Sequence, residues 1–69
     1  HGFMDLVIYK EDEIIIIDFK TDATDNENKL IDMYAPELQT YKHSMERITD
    51  LPIKTYIYAF SLSKCIYLE

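Results

Sequence analysis

Sixty-nine residues, 48% of them hydrophobic and 29% charged, suffice for one small domain and no more. A chain of this size buries only about 60% of the surface it exposes when unfolded, so its core is marginal. Apolar runs such as residues 14–17 are strand-sized, far short of the roughly 18 residues of a membrane span. One cysteine, Cys65, excludes an internal disulfide and any four-thiolate metal site built within these residues. One glycine and two prolines argue against disordered or collagen-like sequence. Thirteen acidic against seven basic side chains, net −6, lack the basic footprint of a stand-alone nucleic-acid-binding module, yet suit a site that holds a cation. The chain reads as cytoplasmic, with its thiol reduced. Its start at His1, directly before strand-like sequence, reads as a piece of something longer.

In chain order, residues 3–9 (FMDLVIY), apolar except for Asp5, predict a strand. Residues 10–13 form a charged turn, and the β-branched run 14–20 (IIIIDFK) predicts a second strand paired as a hairpin with the first. Residues 21–32 (TDATDNENKLID) hold most of the turn formers and read as a solvated, mobile loop. A helix is expected over 36–48. Pro36 suits a first turn, and Tyr34, Leu38, Tyr41, Met45 and Ile48 fall on one face. Leu51-Pro52 marks its exit. Residues 54–61 predict a third strand, and 65–68 a short fourth after a turn at 62–64. The order ββαββ is an α+β fold: a mixed or antiparallel sheet with one helix on a face.

The hairpin carries the chemical information. With a loop of two or four residues the register is the same: Tyr9 faces Ile14, Val7 faces Ile16, and Asp5 faces Asp18. Directly opposed side chains lie about 4.5–5.5 Å apart at Cβ, and like charges so placed repel. Alternation adds Lys20 to the face of Asp18, with Ile15, Ile17 and Phe19 on the other. Asp5, Asp18 and Lys20 thus gather at the open end of the hairpin.

Two carboxylates so placed suit Mg²⁺ or Mn²⁺, hard cations that take oxygen ligands, with the backbone carbonyl of Phe19 as a further donor. A lysine beside them can orient a water and offset charge on a phosphate, the requirements of phosphodiester hydrolysis. On the hairpin alone a plainer reading stands beside this one. Lys20 then merely neutralises the aspartates in a surface salt-bridge cluster worth little.

The segments GFMDLVIY, IIIIDFKTD and YAPELQTY together resemble the RecB-type branch of the PD-(D/E)xK nucleases, most of all the nuclease domain of AddA/RexA-type ATP-dependent helicase–nuclease subunits. That branch carries G-x-x-D, then D-[YF]-K-T-D, then Q-[LI]-x-x-Y on a helix. The matching positions here are residues 2–5, 18–22 and 37–41. TYIYAF resembles the family's late strand, so the likeness covers nearly the whole chain.

The resemblance implies a restriction-endonuclease-like core and a Mg²⁺-dependent DNA exonuclease working in double-strand break repair and recombination in bacteria. It makes Asp5 and Asp18 metal ligands and Lys20 the catalytic lysine, with Thr21, Glu37 and Tyr41 lining the site. Its implied partners are DNA and an AddB/RexB-type subunit, with ATP used by helicase domains outside these residues. Glu37 stands where the family has Gln, and the family's first core helix, with its His and acidic ligand, precedes the first strand. On that reading residues 1–69 are a partial nuclease domain, inactive alone.

Two alternatives remain: a catalytically silent nuclease-fold scaffold, and another PD-(D/E)xK enzyme of phage-exonuclease or restriction type. Cys65 alone does not make the iron–sulfur cluster of some relatives and reads as a small apolar strand residue. Tyr56, Tyr58 and Phe60 read as sheet packing against the helix rather than a base-stacking platform, and His43 as an exposed helical residue. Apolar surface left by a missing helix could pair two copies of the chain.

Overall fold

A computed structural model describes the backbone from Met4 to Leu68 and the side chains from Leu6 to Leu68. Gly2 and the side chain of Asp5, both part of the G-x-x-D segment, lie outside the described residues. The elements run β1 (Met4–Tyr9), β2 (Ile14–Lys20), α1 (Glu27–Glu46), β3 (Ile53–Ala59), a 3-10 turn (Phe60–Leu62) and β4 (Lys64–Leu68). The four strands form one mixed sheet in the order β1-β2-β3-β4. β1 pairs antiparallel with β2, β2 parallel with β3, and β3 antiparallel with β4. The expected ββαββ arrangement is the one observed.

The hairpin closes where Lys10 N–H donates to the Glu13 carbonyl at 2.9 Å, leaving Glu11 and Asp12 as the loop. The register is Tyr9↔Ile14, Val7↔Ile16 and Asp5↔Asp18. Glu13 also accepts Lys10 at 2.9 Å and Lys54 at 3.2 Å, joining the turn to β3. Those two ammonium groups hold its carboxyl below the usual range.

Because β2 is flanked on both sides, its alternation sorts residues by face. Ile14, Ile16, Asp18 and Lys20 are buried; Ile15, Ile17 and Phe19 are half-buried. β3 runs in register beside it, burying Ile53, Thr55, Ile57 and Ala59 on the same side. Helix α1 covers that side with Leu30 and Leu38, and Ile66 and Leu68 of β4 complete the core. Each fully buried aliphatic side chain contributes about 1.5–3 kcal/mol. The buried Thr55 hydroxyl donates to the Leu68 carbonyl at 3.4 Å.

The expectations for the helix are corrected in part. The helix begins at Glu27, not Pro36, so residues 27–32 are helical rather than loop. Asn26 caps it, its side chain accepting Lys29 N–H at 3.2 Å. Pro36 lies inside α1 on its exposed side, where water can satisfy the carbonyl that a proline leaves unpaired. Of the expected face, Tyr34, Leu38 and Met45 pack on the core, joined by Ile31 and Ala35, whereas Tyr41 and Ile48 are exposed.

The aromatic residues of β3 do not meet the helix. Tyr56 and Tyr58 alternate onto the opposite sheet face, where Tyr58 contacts Phe19 and Phe60, and Tyr56 contacts Tyr67. Thr55, Ile57 and Ala59 take the helix side because they are small or branched and fit beneath it. His43 is exposed, as expected.

Candidate metal and phosphate site

Strand β2 delivers two charged side chains into the space under α1. Asp18 is 1% exposed and Lys20 is 3% exposed. Burial of either charge alone is expensive, so each needs a partner. The Lys20 ammonium supplies it, 3.1 Å from Asp18 Oδ2. The surface salt-bridge reading is thereby overturned: this pair belongs to the interior.

Helix α1 completes the surroundings of Lys20. The Tyr34 ring lies under the ammonium, 4.0 Å from Nζ to the ring centre, a cation–π distance. Glu37, one turn further on, places Oε1 3.8 Å from Nζ with its side chain 69% exposed. Residues three apart share a helix face, which brings Tyr34 and Glu37 to one ammonium. The Tyr34 hydroxyl donates to Asp22 Oδ2 at 2.7 Å. That bond, with burial, pushes the phenol up to about 12.

The loop after β2 is held as well. Ser61 Oγ donates to the Thr24 carbonyl at 2.8 Å, and Asn26 N–H donates to Thr24 Oγ1 at 3.1 Å. Thr21 opens this loop and is exposed. An open cavity of about 360 Å³ is lined by Asp22, Ala23, Thr24, Lys29, Leu30 and Met33. It shares only Asp22 with the polar cluster.

Curated relatives that the chain matches are named as ATP-dependent helicase/nuclease subunits of the AddA type. The chain is 35% identical over 68 residues to that of Syntrophomonas wolfei, covering 94% of this chain and 6% of the relative. It is 38% identical to that of Ligilactobacillus salivarius, covering 99% and 6%, and 34% identical to that of Lachnoclostridium phytofermentans, covering 99% and 5%. These residues are similar to a short stretch of those helicase/nuclease subunits. No family model and no solved structure matches the chain.

Among the sequence candidates, β2 brings Asp18 and Lys20 together, and α1 adds Glu37. Asp5 stands opposite Asp18 in the strand register. Tyr41 lies a further turn beyond Glu37 and is 37% exposed. Sequence reasoning missed Tyr34 and Asp22 as members of the cluster. The signal was present, since Tyr34 precedes Glu37 by three and Asp22 follows Lys20 by two.

The donors here are hard oxygens, the class that Mg²⁺ and Mn²⁺ take. Among the described residues, no three His, Cys, Asp or Glu side chains gather closely enough to hold an ion by themselves. A cation beside Asp18 therefore needs oxygen ligands beyond the described side chains. No helix among the described residues is long and apolar enough to cross a membrane.

Proposed function

We propose that residues 1–69 are the part of an ATP-dependent helicase/nuclease that carries its DNA-cleaving centre, a RecB-like domain hydrolysing phosphodiester bonds in double-strand break processing. The observation that carries this reading is the pairing of Asp18 with Lys20 in the interior, with Asp5 directly across the strand register. The names of the relatives support the same reading, although the chain spans only about 6% of their length.

Asp5, Asp18 and the Phe19 carbonyl would hold the divalent ion. A bound Mg²⁺ supplies charge neutralisation at the phosphate and a more acidic water. Lys20 orients the attacking water and offsets negative charge as the phosphorus–oxygen ester bond breaks. The water gives up a proton to solvent as its oxygen bonds to phosphorus, and the leaving ester oxygen takes a proton from solvent to depart as an alcohol. The buried position of Lys20 favours this work, because an ammonium acts more strongly in a water-poor site. Thr21, Glu37 and Tyr41 line the approach for DNA. ATP is used elsewhere in the polypeptide, and an AddB/RexB-type subunit is the partner.

The test uses the intact polypeptide with its partner subunit, linear DNA, Mg²⁺ and ATP. Asp18→Asn and Lys20→Ala are each expected to abolish cleavage while ATP hydrolysis continues. Cleavage that persists in both variants rejects the reading and favours a silent scaffold.

A further inference from the structure

We propose that Tyr34 is a positioning residue for Lys20, its ring holding the ammonium in place while its hydroxyl ties the helix to Asp22 in the loop after β2. The inference rests on the nuclease reading above and names a residue which that reading leaves without a role.

Three observations converge on it. The ring centre lies 4.0 Å from Lys20 Nζ, while Asp18 Oδ2 lies 3.1 Å from the same atom. A lysine has four rotatable bonds, and a carboxylate contact fixes only one direction of its ammonium. A ring face fixes a second and donates no proton that would compete for Asp18. The hydroxyl, bonded to Asp22 at 2.7 Å, then fixes the ring. Asp22 is only two residues beyond Lys20, so the arrangement closes a small loop: Lys20, Tyr34, Asp22 and back along the chain.

The ring also separates Lys20 from alternatives. Glu37 is 3.8 Å away and largely exposed, so water screens its pull on the ammonium. The ring is half-buried and packs on the core beside Leu30 and Leu38. Without it, Lys20 could swing toward Glu37 and away from Asp18.

The experiment compares Tyr34→Phe, which keeps the ring, with Tyr34→Leu, which does not, in the intact polypeptide and its partner. DNA cleavage is followed with Mg²⁺, Mn²⁺ affinity by electron paramagnetic resonance, and ATP hydrolysis in the same preparations. Tyr34→Leu is expected to lower kcat by about thirty-fold with KM unchanged, the scale of a desolvated cation–π contact. Tyr34→Phe is expected to restore cleavage to within a few-fold. Mn²⁺ affinity and ATP hydrolysis stay at the wild-type level in both.

Wild-type cleavage by Tyr34→Leu overturns the proposal, as does a fall in Mn²⁺ affinity that parallels kcat. Full cleavage by Lys20→Ala overturns the nuclease reading instead. Cleavage lost in Lys20→Ala but intact in Tyr34→Leu removes only the role of Tyr34.

Discussion

Lys20 Nζ lies 3.1 Å from Asp18 Oδ2, and both side chains are buried beneath α1. A buried ion pair returns little net stability, yet removing one partner leaves the other charge stranded in the interior. Lys20→Met is therefore expected to destabilise the domain by about 3–5 kcal/mol. The double change Asp18→Leu with Lys20→Met should recover most of that loss while cleaving no DNA. Hydrogen exchange of the β2 amides in the intact polypeptide reads both effects. A single variant as stable as the double would show that the pair is not desolvated as its burial implies.

Tyr34 gives a pH dependence of definite sign. Its hydrogen bond to Asp22, then burial, raise the phenol from an ordinary value of 10.0 to about 12. An acid whose folded-state pKa is raised stabilises the fold fully below pH 10 and loses that contribution as pH climbs through 12. The difference in absorbance at alkaline pH between wild type and Tyr34→Phe should show one phenol titrating near 12. Asp22→Asn should bring that midpoint back toward the ordinary value. An unshifted midpoint in the wild type would remove the Tyr34–Asp22 bond.

The hairpin register could be read from the sequence because strand alternation has a period of two and the short turn allows one pairing. The position of Asp18 and Lys20 on one face followed from that alone. Their burial did not, because it depends on which sheet face the helix covers. The start of α1 was missed for a local reason. Residues 27–32 are mostly polar, and Pro36 looks like a first-turn residue, whereas Leu30 extends the Tyr34 and Leu38 spacing back by four. The anchor is Leu30, 1% exposed, which tertiary packing draws into the core. Tyr34 entered the site through the same packing, and a sequence pattern alone does not distinguish a core tyrosine from one seated on an ammonium.

The helix cap offers a test of that earlier start. Asn26 accepts Lys29 N–H at 3.2 Å, and Glu27 adds an acid to the first turn. Asn26→Ala should cost about 1 kcal/mol, and Asn26→Asp should cost nothing, because a carboxylate also caps and favours the helix N-terminus. Thermal unfolding of the three proteins compares them. Equal stability of Asn26→Ala and wild type would place the helix start elsewhere.

Glu37 stands where the resembled family has glutamine, and its geometry predicts how little that change matters. Its Oε1 is 3.8 Å from Lys20 Nζ, but the side chain is 69% exposed. Water screens such a pair, leaving it a contribution of about 0–1 kcal/mol. Glu37→Gln is therefore expected to keep kcat for DNA cleavage within about three-fold of wild type, the scale of that weak pair. The KM for DNA should fall, because one negative charge leaves the path of the phosphates. A loss of kcat beyond about ten-fold accompanied by weaker Mn²⁺ binding would give the opposite answer: Glu37 would then be holding the ion. The two outcomes separate because a screened neighbour of Lys20 alters substrate affinity, whereas a metal ligand alters ion affinity first.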